Sequence, residues 1–396
     1  METTCVQYWN RFCPTIFGTG ALEELVTKAK EFKMHKILFV TEKALMDLKV
    51  SSPIKEMLED AGFEVVVFDD IIADPNNHLV TQGAALAKET GIDGIVGIVA
   101  VGGGSSMDCA KGIAMMTKNE GTIEDYYVPV YPPDPDRVKK GFPLITIPTT
   151  AGTGSENSPY AVITDAESGL KKIPQYSADL ALIDPVMTYT LPKSQTAATG
   201  MDVLAHCIEA ITTCYYNHYA NLFAINGIQL VFQYLPRAVQ DGQDKEAREW
   251  MMMGANLGGL AIAEASAQFG HAFGHCMGSK YHKPHGLCCA WGTPAAIAVA
   301  CKYYPEGAKI VADAMDIAYD DNTTMDELCA KMTDKVVALM QEIGIPSMKA
   351  SGYTLEDCQS VSVHMPDDAA FLGIPKENMP QDEIKSFIQV AYEAYQ

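Results

Sequence analysis

The pattern of apolar positions changes near the middle of the chain. Up to Thr190, short apolar runs alternate with stretches in which apolar residues recur three and four positions apart, as in amphipathic helices. The runs have the length of strands, and one of them is apolar throughout, as strands buried on both faces of a parallel sheet are. We predict strands at Lys36–Thr41, Glu64–Phe68, Ile95–Val101 and Pro143–Ile147.

Helical periodicity fills the segments between these strands. The periodicity predicts helices at Lys43–Asp60, with an interruption at Ser51-Ser52-Pro53, and at Val80–Thr90 and Ser105–Met116. The proline-rich stretch Val128–Pro143 predicts a loop. Strands that alternate with helices indicate an α/β fold with a doubly wound parallel sheet.

Strand-like runs end after Leu191-Pro192. The rest of the chain is rich in Ala, Met and Leu at helical spacing, which predicts an all-α second half. We therefore place a domain boundary near Thr190, between an α/β domain at 1–190 and a helical domain at 191–396. The helices predicted in the second domain are Ser194–Thr213, Ala220–Val239, Asp244–Ala265, Pro294–Ala300, Met325–Ile343 and Gln381–Tyr395.

Charge and composition exclude several classes of partner. The net charge of -21 argues against binding to nucleic acid or to an anionic membrane surface. No apolar run approaches the roughly 18 residues of a spanning helix. The first residues lack the pattern of a secretory signal, and the 11 cysteines form no CxxC pair, so we expect free thiols and a cytoplasmic protein.

Two glycine-containing loops follow predicted strands. The first, GGGSSMDCAKG at Gly102–Gly112, opens a helix whose N–H groups suit a pyrophosphate. The second, PTTAGTGSEN at Pro148–Asn157, stands at the carboxyl end of the next strand, where ligands bind in open α/β sheets. Glu42 ends the first strand, where an acid accepts hydrogen bonds from a ribose and repels a 2′-phosphate. Together these features predict a dinucleotide site that favours NAD over NADP.

The helical half concentrates imidazole side chains. Asp202 and His206 are four residues apart, as are His271 and His275, and such pairs lie on one face of a helix. His282 and His285 follow, the latter in a predicted turn at Pro284–Gly286. One carboxylate and three imidazoles make a four-ligand site for a divalent metal such as Fe(II), Zn(II), Mn(II) or Co(II), with no thiolate in the set. Five histidines compete for the three places, and spacing alone cannot choose among them. His206 is favoured by its partner Asp202.

Four segments, in this order, resemble the iron-containing (group III) alcohol dehydrogenases: GGGSSMDCAKG, PTTAGTGSE, GMDVLAHCIEA and HAFGH with KPHG. The resemblance covers nearly the whole chain. It implies a dehydroquinate synthase-like fold, with an N-terminal dinucleotide-binding domain, a C-terminal helical domain and an active site in the cleft between them. It also implies NAD(H), Fe(II) or alternatively Zn(II) or another divalent metal, a small aldehyde or alcohol as substrate, and a homodimer.

The resemblance also implies roles for particular residues. The metal ligands would be Asp202, His206, His271 and His285, while His275 would lie near the substrate and the nicotinamide and relay a proton. His282 has no role in the family's pattern. The cofactor would contact Glu42, Asn76, Gly103, Gly104, Ser105, Asp108, Thr149, Thr150, Thr153, Ser155 and Lys172.

Departures from the family's pattern affect the substrate most. The family usually carries Asp where this chain has Glu42. The family's C-terminal Asn-Pro-Arg segment is absent from this chain, and the most similar segment is Asn378-Met379-Pro380. Short neutral aldehydes are expected first. A reductase of an anionic aldehyde (succinate semialdehyde- or sulfoacetaldehyde-like) and a zinc polyol dehydrogenase of the same fold are alternatives. A dehydroquinate synthase-like lyase, a metal-dependent hydrolase and a non-catalytic metal-binding protein fit the motifs less well.

Overall fold

The computed structural model describes Gln7, 12–90, 96–127, 137–374 and 379–396, with only the backbone of Thr90 and Val96. Three sequence predictions lie wholly or partly outside these residues: the start of the strand at Ile95, most of the loop Val128–Pro143, and Asn378. The described residues form two compact units. One covers 12–150 and Ser155–Thr190, and the other covers Ala151–Gly154 and Leu191–Gln396.

The first unit contains a six-stranded parallel sheet, and the predicted fold class is confirmed. The four predicted strands are all present, and the sheet order is β1-β8-β5-β4-β2-β3. A two-stranded antiparallel hairpin, β6 with β7, accompanies it. The strands are β1 (Thr15–Phe17), β2 (Lys36–Val40), β3 (Glu64–Phe68), β4 (Val96–Gly102), β5 (Leu144–Pro148), β6 (Ile163–Thr164), β7 (Lys171–Lys172) and β8 (Leu180–Ile183).

Within the part of this unit that the structure describes, five helices connect these strands. The segment predicted as one interrupted helix is two, α2 and α3, and Pro53 lies in the first turn of the second, where its missing N–H costs no hydrogen bond. The helices are α1 (Leu25–Glu31), α2 (Lys43–Asp47), α3 (Ser52–Asp60), α4 (Asn77–Thr90) and α5 (Gly104–Met116). On one face of the sheet, Phe39, Val99 and Ile145 are fully buried in a core that also holds Leu25 and Leu58 from the helices.

The order of the strands creates a switch point beside β2. From β2 the chain moves to β3 at the edge of the sheet, and it then returns to β4 on the other side of β2. At the carboxyl ends of β2 and β4 the chain therefore leaves the sheet in different directions, and a crevice remains between the two segments. Open α/β sheets bind ligands in such a crevice. Glu42 and the glycines 102–104 stand at these two ends.

The second unit is helical in its described residues after Leu191. Its long helix α6 packs against α7, α8 and α10, and α9 packs against α10. The helices are α6 (Lys193–Ile211), α7 (His218–Gln240), α8 (Lys245–Glu264), α9 (Phe269–Tyr281), α10 (His285–Tyr303), α11 (Pro305–Ala314), α12 (Met325–Glu342), α13 (Leu355–Gln359) and α14 (Gln381–Ala394).

The prediction was wrong about the start of α10. The turn expected at Pro284–Gly286 is the beginning of the helix, with Pro284 at the N-cap and His285 in the first turn. The expected start, Pro294, lies inside the helix. A proline there removes one backbone hydrogen bond. Burial offsets that loss, since Trp291 and Thr293 beside it are almost fully buried.

Two glycines let α9 and α10 approach closely. A Cβ added to Gly292 would lie 2.6 Å from the carbonyl oxygen of Gly270, and a Cβ on Gly270 would lie 2.5 Å from Oε1 of Glu209. Both distances are too short for a side chain. The backbones of the two helices therefore meet at this crossing, which is next to His271 in α9 and two turns after His285 in α10.

Candidate functional site

Three helices of the second unit bring the predicted metal ligands together. Asp202 and His206 lie on successive turns of α6, His271 lies on α9, and His285 opens α10. Asp202, His206 and His271 are at most 5% exposed, whereas the side chain of His285 is 27% exposed. The i and i+4 spacing therefore places both α6 side chains on the face that meets the other two helices.

The imidazole nitrogens converge on one carboxylate oxygen. Nε2 of His271 and Nε2 of His285 are each 3.4 Å from Oδ1 of Asp202. Nε2 of His206 is 3.9 Å from the same oxygen, and the His206 ring stacks on that of His271 with centroids 4.4 Å apart. The cluster thus presents three nitrogen donors and one oxygen donor to a common point.

These donors fit a divalent cation. Within the part of the chain that the structure describes, Oδ1 of Asp202 and Nε2 of His271 are buried without a hydrogen-bond partner. An unsatisfied buried polar atom costs about 1–3 kcal/mol. Ligand bonds of about 2.0–2.1 Å in a tetrahedral site place neighbouring donor atoms about 3.3 Å apart. The 3.4 Å separations match that edge, so a cation would satisfy both atoms.

Burial and neighbouring charges set the protonation states of two of the predicted ligands. Burial opposes the charge of Asp202, but the facing imidazoles of His206 and His285 outweigh it and hold the pKa of the carboxyl well below its usual range. Burial lowers the pKa of His206 to about 3. At neutral pH, Asp202 is therefore a carboxylate and His206 a neutral imidazole, which are the forms that bind metals.

Glu209 orients His271, and the sequence analysis missed it. Its Oε1 lies 2.9 Å from Nδ1 of His271, while Oε2 accepts the backbone N–H groups of His271 and Gln268. Glu209 is fully buried. A carboxylate on Nδ1 fixes the proton there and turns Nε2 toward the metal position, as partners of metal-bound histidines usually do. Its position seven residues after Asp202, on the same helix face, was the available signal.

His275 lies beside the cluster and is held by Asp368. Nδ1 of His275 is 3.0 and 3.1 Å from the two carboxylate oxygens of Asp368, and Oδ1 of Asp368 also accepts the N–H of Ala370. The His275 ring stacks on that of His285 with centroids 5.3 Å apart. His282 is the exposed C-cap of α9. Nothing in the sequence pointed to Asp368, which is 93 positions from His275.

A thiol, which the donor set inferred from the sequence does not include, also lies beside the cluster. Sγ of Cys289 is 3.5 Å from Nε2 and 3.7 Å from Nδ1 of His285. Donor atoms of Asp202, His271, His285 and Cys289 all lie within 4.8 Å of one another. The sequence carried a signal for this residue, four positions after His285, but the predicted turn at Pro284–Gly286 concealed the helix that joins them.

Most of the predicted cofactor residues gather in the first unit around the start of α5. Glu42 directly follows β2, and its Oε1 lies 3.2 Å from Oγ of Ser106. Gly103 is the N-cap of α5 and has no side chain with which to cap the N–H groups of Gly104 and Ser105. These uncapped N–H groups and the helix dipole are suited to an anion. Thr149 donates its N–H to the carbonyl of Gly102.

A buried lysine ties two of these residues together. Oγ of Ser155 donates to Oδ1 of Asp108 at 2.5 Å, and Nζ of Lys111 lies 3.3 Å from that oxygen and 2.9 Å from Oγ of Ser155. Lys111 is fully buried and also donates to the carbonyl of Tyr160. The sequence analysis missed this lysine, although it stands one turn after Asp108 in the same motif. Its ammonium group fixes the second loop against α5.

The other predicted cofactor residues lie elsewhere. Thr150 faces Gly103, since a Cβ added to that glycine would lie 3.5 Å from Cγ2 of Thr150. Asn76 and Lys172 lie at the β6–β7 hairpin, where Asn76 bridges Thr164 and Lys172 pairs with Ile163. Thr153 belongs to the second unit. Among the described residues, no helix is long and apolar enough to cross a membrane.

Comparison with known proteins gives consistent matches over both halves of the chain. Residues 14–185 match the family model "Iron-containing alcohol dehydrogenase", and residues 196–392 match "Fe-containing alcohol dehydrogenase family, C-terminal". The chain is 33% identical to a choline dehydrogenase of Bacillus subtilis, over 95% of this chain and 94% of that protein. It is 32% identical to an NAD-dependent methanol dehydrogenase of Bacillus methanolicus, over 94% and 97%. The solved alcohol dehydrogenase from Oenococcus oeni superimposes with a TM-score of 0.88 at 29% identity, over 97% of this chain and 100% of that one.

Proposed function

Because this chain belongs to the iron-containing alcohol dehydrogenase family and is an NAD-linked oxidoreductase of alcohols and aldehydes, we propose that it works through a divalent metal held by Asp202, His206, His271 and His285. The observation that carries the proposal is the convergence of imidazole nitrogens on Oδ1 of Asp202, an oxygen that has no hydrogen-bond partner among the described residues. The reaction is hydride transfer between the nicotinamide and a short-chain aldehyde or alcohol.

The protein's part is to hold the cation and keep its ligands in one orientation. When bound, a divalent metal polarises the oxygen of the substrate as a Lewis acid. Asp202 supplies the negative charge, and Glu209 keeps the proton of His271 on Nδ1 so that Nε2 can bind. Fe(II) is the first expectation from the family, with Zn(II) or another divalent ion as the alternative. Asp202 and His271 are almost fully buried, whereas the side chain of His285 is 27% exposed, so the cluster stays accessible at His285.

His275 is the proposed proton relay. Its bond to Asp368 places the ring proton on Nδ1, so Nε2 carries the lone pair. That nitrogen is suited to take the proton of the alcohol in oxidation and to return it in reduction. The stacking of the His275 ring on that of His285 supports this role. It holds His275 beside a metal ligand, while His275 itself is not one of the proposed ligands.

The cofactor site of the proposal is the anion site at the start of α5. The N–H groups of Gly104 and Ser105 would receive the pyrophosphate, and Glu42 would accept hydrogen bonds from the ribose. Burial raises the pKa of Glu42, and the hydrogen bond from Ser106 opposes that rise. A carboxylate at this position repels the 2′-phosphate of NADP, which supports NAD as the cofactor. The remaining contacts would be Asn76, Asp108, Thr149, Thr150, Thr153, Ser155 and Lys172.

We further propose a reducing, cytoplasmic environment and a homodimer. The ten cysteines that the structure describes are all free thiols, which supports the first point. The family resemblance supports the second. Size-exclusion chromatography with light scattering tests the dimer, and a mass near the 42.9 kDa of one chain would contradict it.

The function is tested with protein purified anaerobically and loaded with Fe(II) or Zn(II). NADH oxidation is followed against short neutral aldehydes, anionic aldehydes carrying carboxylate or sulfonate, and polyols in the reverse direction, with NADPH alongside. We expect turnover with neutral short aldehydes that a chelator stops and added metal restores. Turnover that survives complete removal of the metal would contradict the proposal.

A further inference from the structure

The second loop of the proposed cofactor site contains a short segment that belongs to the helical unit. Ala151–Gly154 is grouped with the helices, whereas Thr150 and Ser155 on either side of it belong to the first unit. Thr153 is the residue of this segment that would contact the cofactor. We propose that Gly259 of α8 is a positioning residue for the cofactor, because the segment that carries Thr153 is seated on it. This inference rests on the proposed function, since it requires that NAD(H) contacts Thr153.

The backbones of the segment and of α8 are in direct contact. A Cβ added to Gly259 would lie 2.5 Å from the carbonyl oxygen of Gly154 and 2.7 Å from its Cα. A Cβ added to Gly154 would lie 2.7 Å from the backbone nitrogen of Gly259 and 2.8 Å from the carbonyl oxygen of Ala255. Carbon atoms in contact are about 3.5–4.0 Å apart. Neither glycine therefore has room for a side chain, and the segment lies directly on the backbone of the helix.

Another glycine places the start of the segment on α6. A Cβ added to Gly152 would lie 2.6 Å from Cβ and 2.9 Å from the carbonyl oxygen of Thr199. Thr199 lies three residues before Asp202 on this helix. Thr153 therefore stands between two close backbone contacts, one to the helix that carries Asp202 and one to α8. These contacts set the position of Thr153 relative to the proposed metal ligand.

The backbone conformations of the two contacting glycines decide which of them is the better test. Gly154 has a φ of +60°, in the left-handed region, so a side chain there is strained whatever its surroundings. Gly259 lies inside α8, where the backbone is helical. Alanine is favoured over glycine inside a helix. A functional loss in Gly259→Ala would therefore come from the contact with Gly154, since the helix itself gains from the substitution.

The expected displacement of the segment sets the size of the effect. The methyl group of Gly259→Ala must move from 2.7 Å to about 3.5 Å from Cα of Gly154, so the segment shifts by about 1 Å. A misplacement of about 1 Å, caused far from the chemistry, can lower an enzymatic rate about 100-fold. We therefore expect kcat/KM for NADH to fall about 100-fold. Zinc affinity should stay unchanged, because the atoms that the methyl group meets first belong to Gly154.

Calorimetric titration of the Zn(II)-loaded full-length enzyme with NADH tests the inference without relying on turnover. In Gly259→Ala we expect the Kd for NADH to rise about tenfold or more, the effect of one lost hydrogen bond to a charged group. Gly254→Ala is the matched control on the same helix, since a Cβ there would lie 3.7 Å from Cβ of Leu230, an ordinary contact. The control should bind NADH and zinc as the wild type does.

Zinc affinity, measured beside NADH affinity, distinguishes positioning from general damage. Because α8 packs on α6, a loosened helical unit would lose both affinities together. A parallel loss of zinc affinity in Gly259→Ala, or an equal loss of NADH affinity in Gly254→Ala, would therefore overturn the inference. A Kd for NADH in Gly259→Ala within twofold of wild type would overturn it too and leave the proposed function standing.

A wild type that binds no NADH would overturn the inference and the proposed function together. If Gly259→Ala does not fold, hydrogen exchange of the wild-type enzyme decides. NADH must then slow the exchange of backbone amides at 151–154 and at 255–259, because ordering of the segment also holds the part of α8 beneath it. Unchanged exchange at 255–259 with NADH bound would contradict the assignment of Gly259.

Discussion

Replacing Glu209 with glutamine should weaken metal binding through the tautomer of His271. The two carboxylate oxygens accept from Nδ1 of His271 on one side and from the backbone N–H groups of Gln268 and His271 on the other. Glutamine has one acceptor oxygen and one NH₂ group. The oxygen is needed by the two backbone donors, so the NH₂ group must face Nδ1. The ring then accepts there, and its proton moves to Nε2, the nitrogen that should bind the metal.

The size of the effect follows from this conflict. Metal binding to Glu209→Gln requires that His271 keeps its proton on Nδ1, facing the NH₂ group of the amide. The alternative is that the amide rotates, and its NH₂ group then faces the two backbone N–H groups. Loss of such an orienting partner typically costs 10- to 100-fold in metal affinity, or about 1.4 to 2.7 kcal/mol. The metal-free protein should unfold at nearly the wild-type temperature, because the amide still satisfies the backbone N–H groups and Nδ1.

A competition titration of Zn(II) against a chromophoric chelator measures the affinity. Glu383→Gln is the matched control, since Glu383 is a hydrogen-bonded carboxylate of the same unit that instead accepts from Lys302 and Tyr303. We expect the control to bind zinc as wild type does. Zinc affinity of Glu209→Gln within twofold of wild type would refute the reasoning, as would an equal loss in both variants.

Four further substitutions test other parts of the site. Asp202→Ala should abolish metal binding and turnover while circular dichroism shows an intact fold, and retained metal would exclude Asp202 as a ligand. His275→Ala should keep the metal but lower kcat by about 10²–10⁴, the usual contribution of a general base; equal loss of metal would make it a ligand instead. Glu42→Gln should reduce the preference for NADH over NADPH in kcat/KM, and an unchanged ratio would remove Glu42 from cofactor selection. Lys111→Met should lower the free energy of unfolding by about 3–5 kcal/mol in urea titration, because it leaves Asp108 without its buried partner; a loss under 1 kcal/mol would contradict this.

The sequence predicted the strands that are long and buried, and missed those that are short. β2 has four consecutive buried apolar residues after Lys36, β4 consists of apolar residues and glycine over its seven positions, and both were recognised. β1 has only three residues, all partly buried, and β8 has only four, all buried, so both are too short for their pattern to be distinguished from a loop. Both are strands because they pair with each other, and β8 also pairs with β5. Such pairing is a long-range property that periodicity does not contain.

The same division holds for the site. Ligand spacing along one helix is visible in the sequence, which is why Asp202 and His206 could be named together. Glu209 and Asp368 act on histidines of other segments, and their carboxylates are identified only when tertiary structure brings them to Nδ1. Cys289 was missed because the sequence analysis predicted a turn at Pro284–Gly286. A helix that begins at His285 places the thiol one turn after the imidazole.

The crossing of α9 and α10 at Gly270 and Gly292 sets the scale of the cluster. With backbone against backbone at that point, the helix axes have no slack, and the distance between His271 and His285 is governed by residues that contain no donor atom. An alanine at Gly292 would press on the carbonyl of Gly270 and force α9 and α10 apart, whereas an alanine at Gly270 would press on the carboxylate of Glu209, which orients His271. The spacing of the histidines is therefore set by glycines that carry no donor atom, and by the contact of one of them with Glu209.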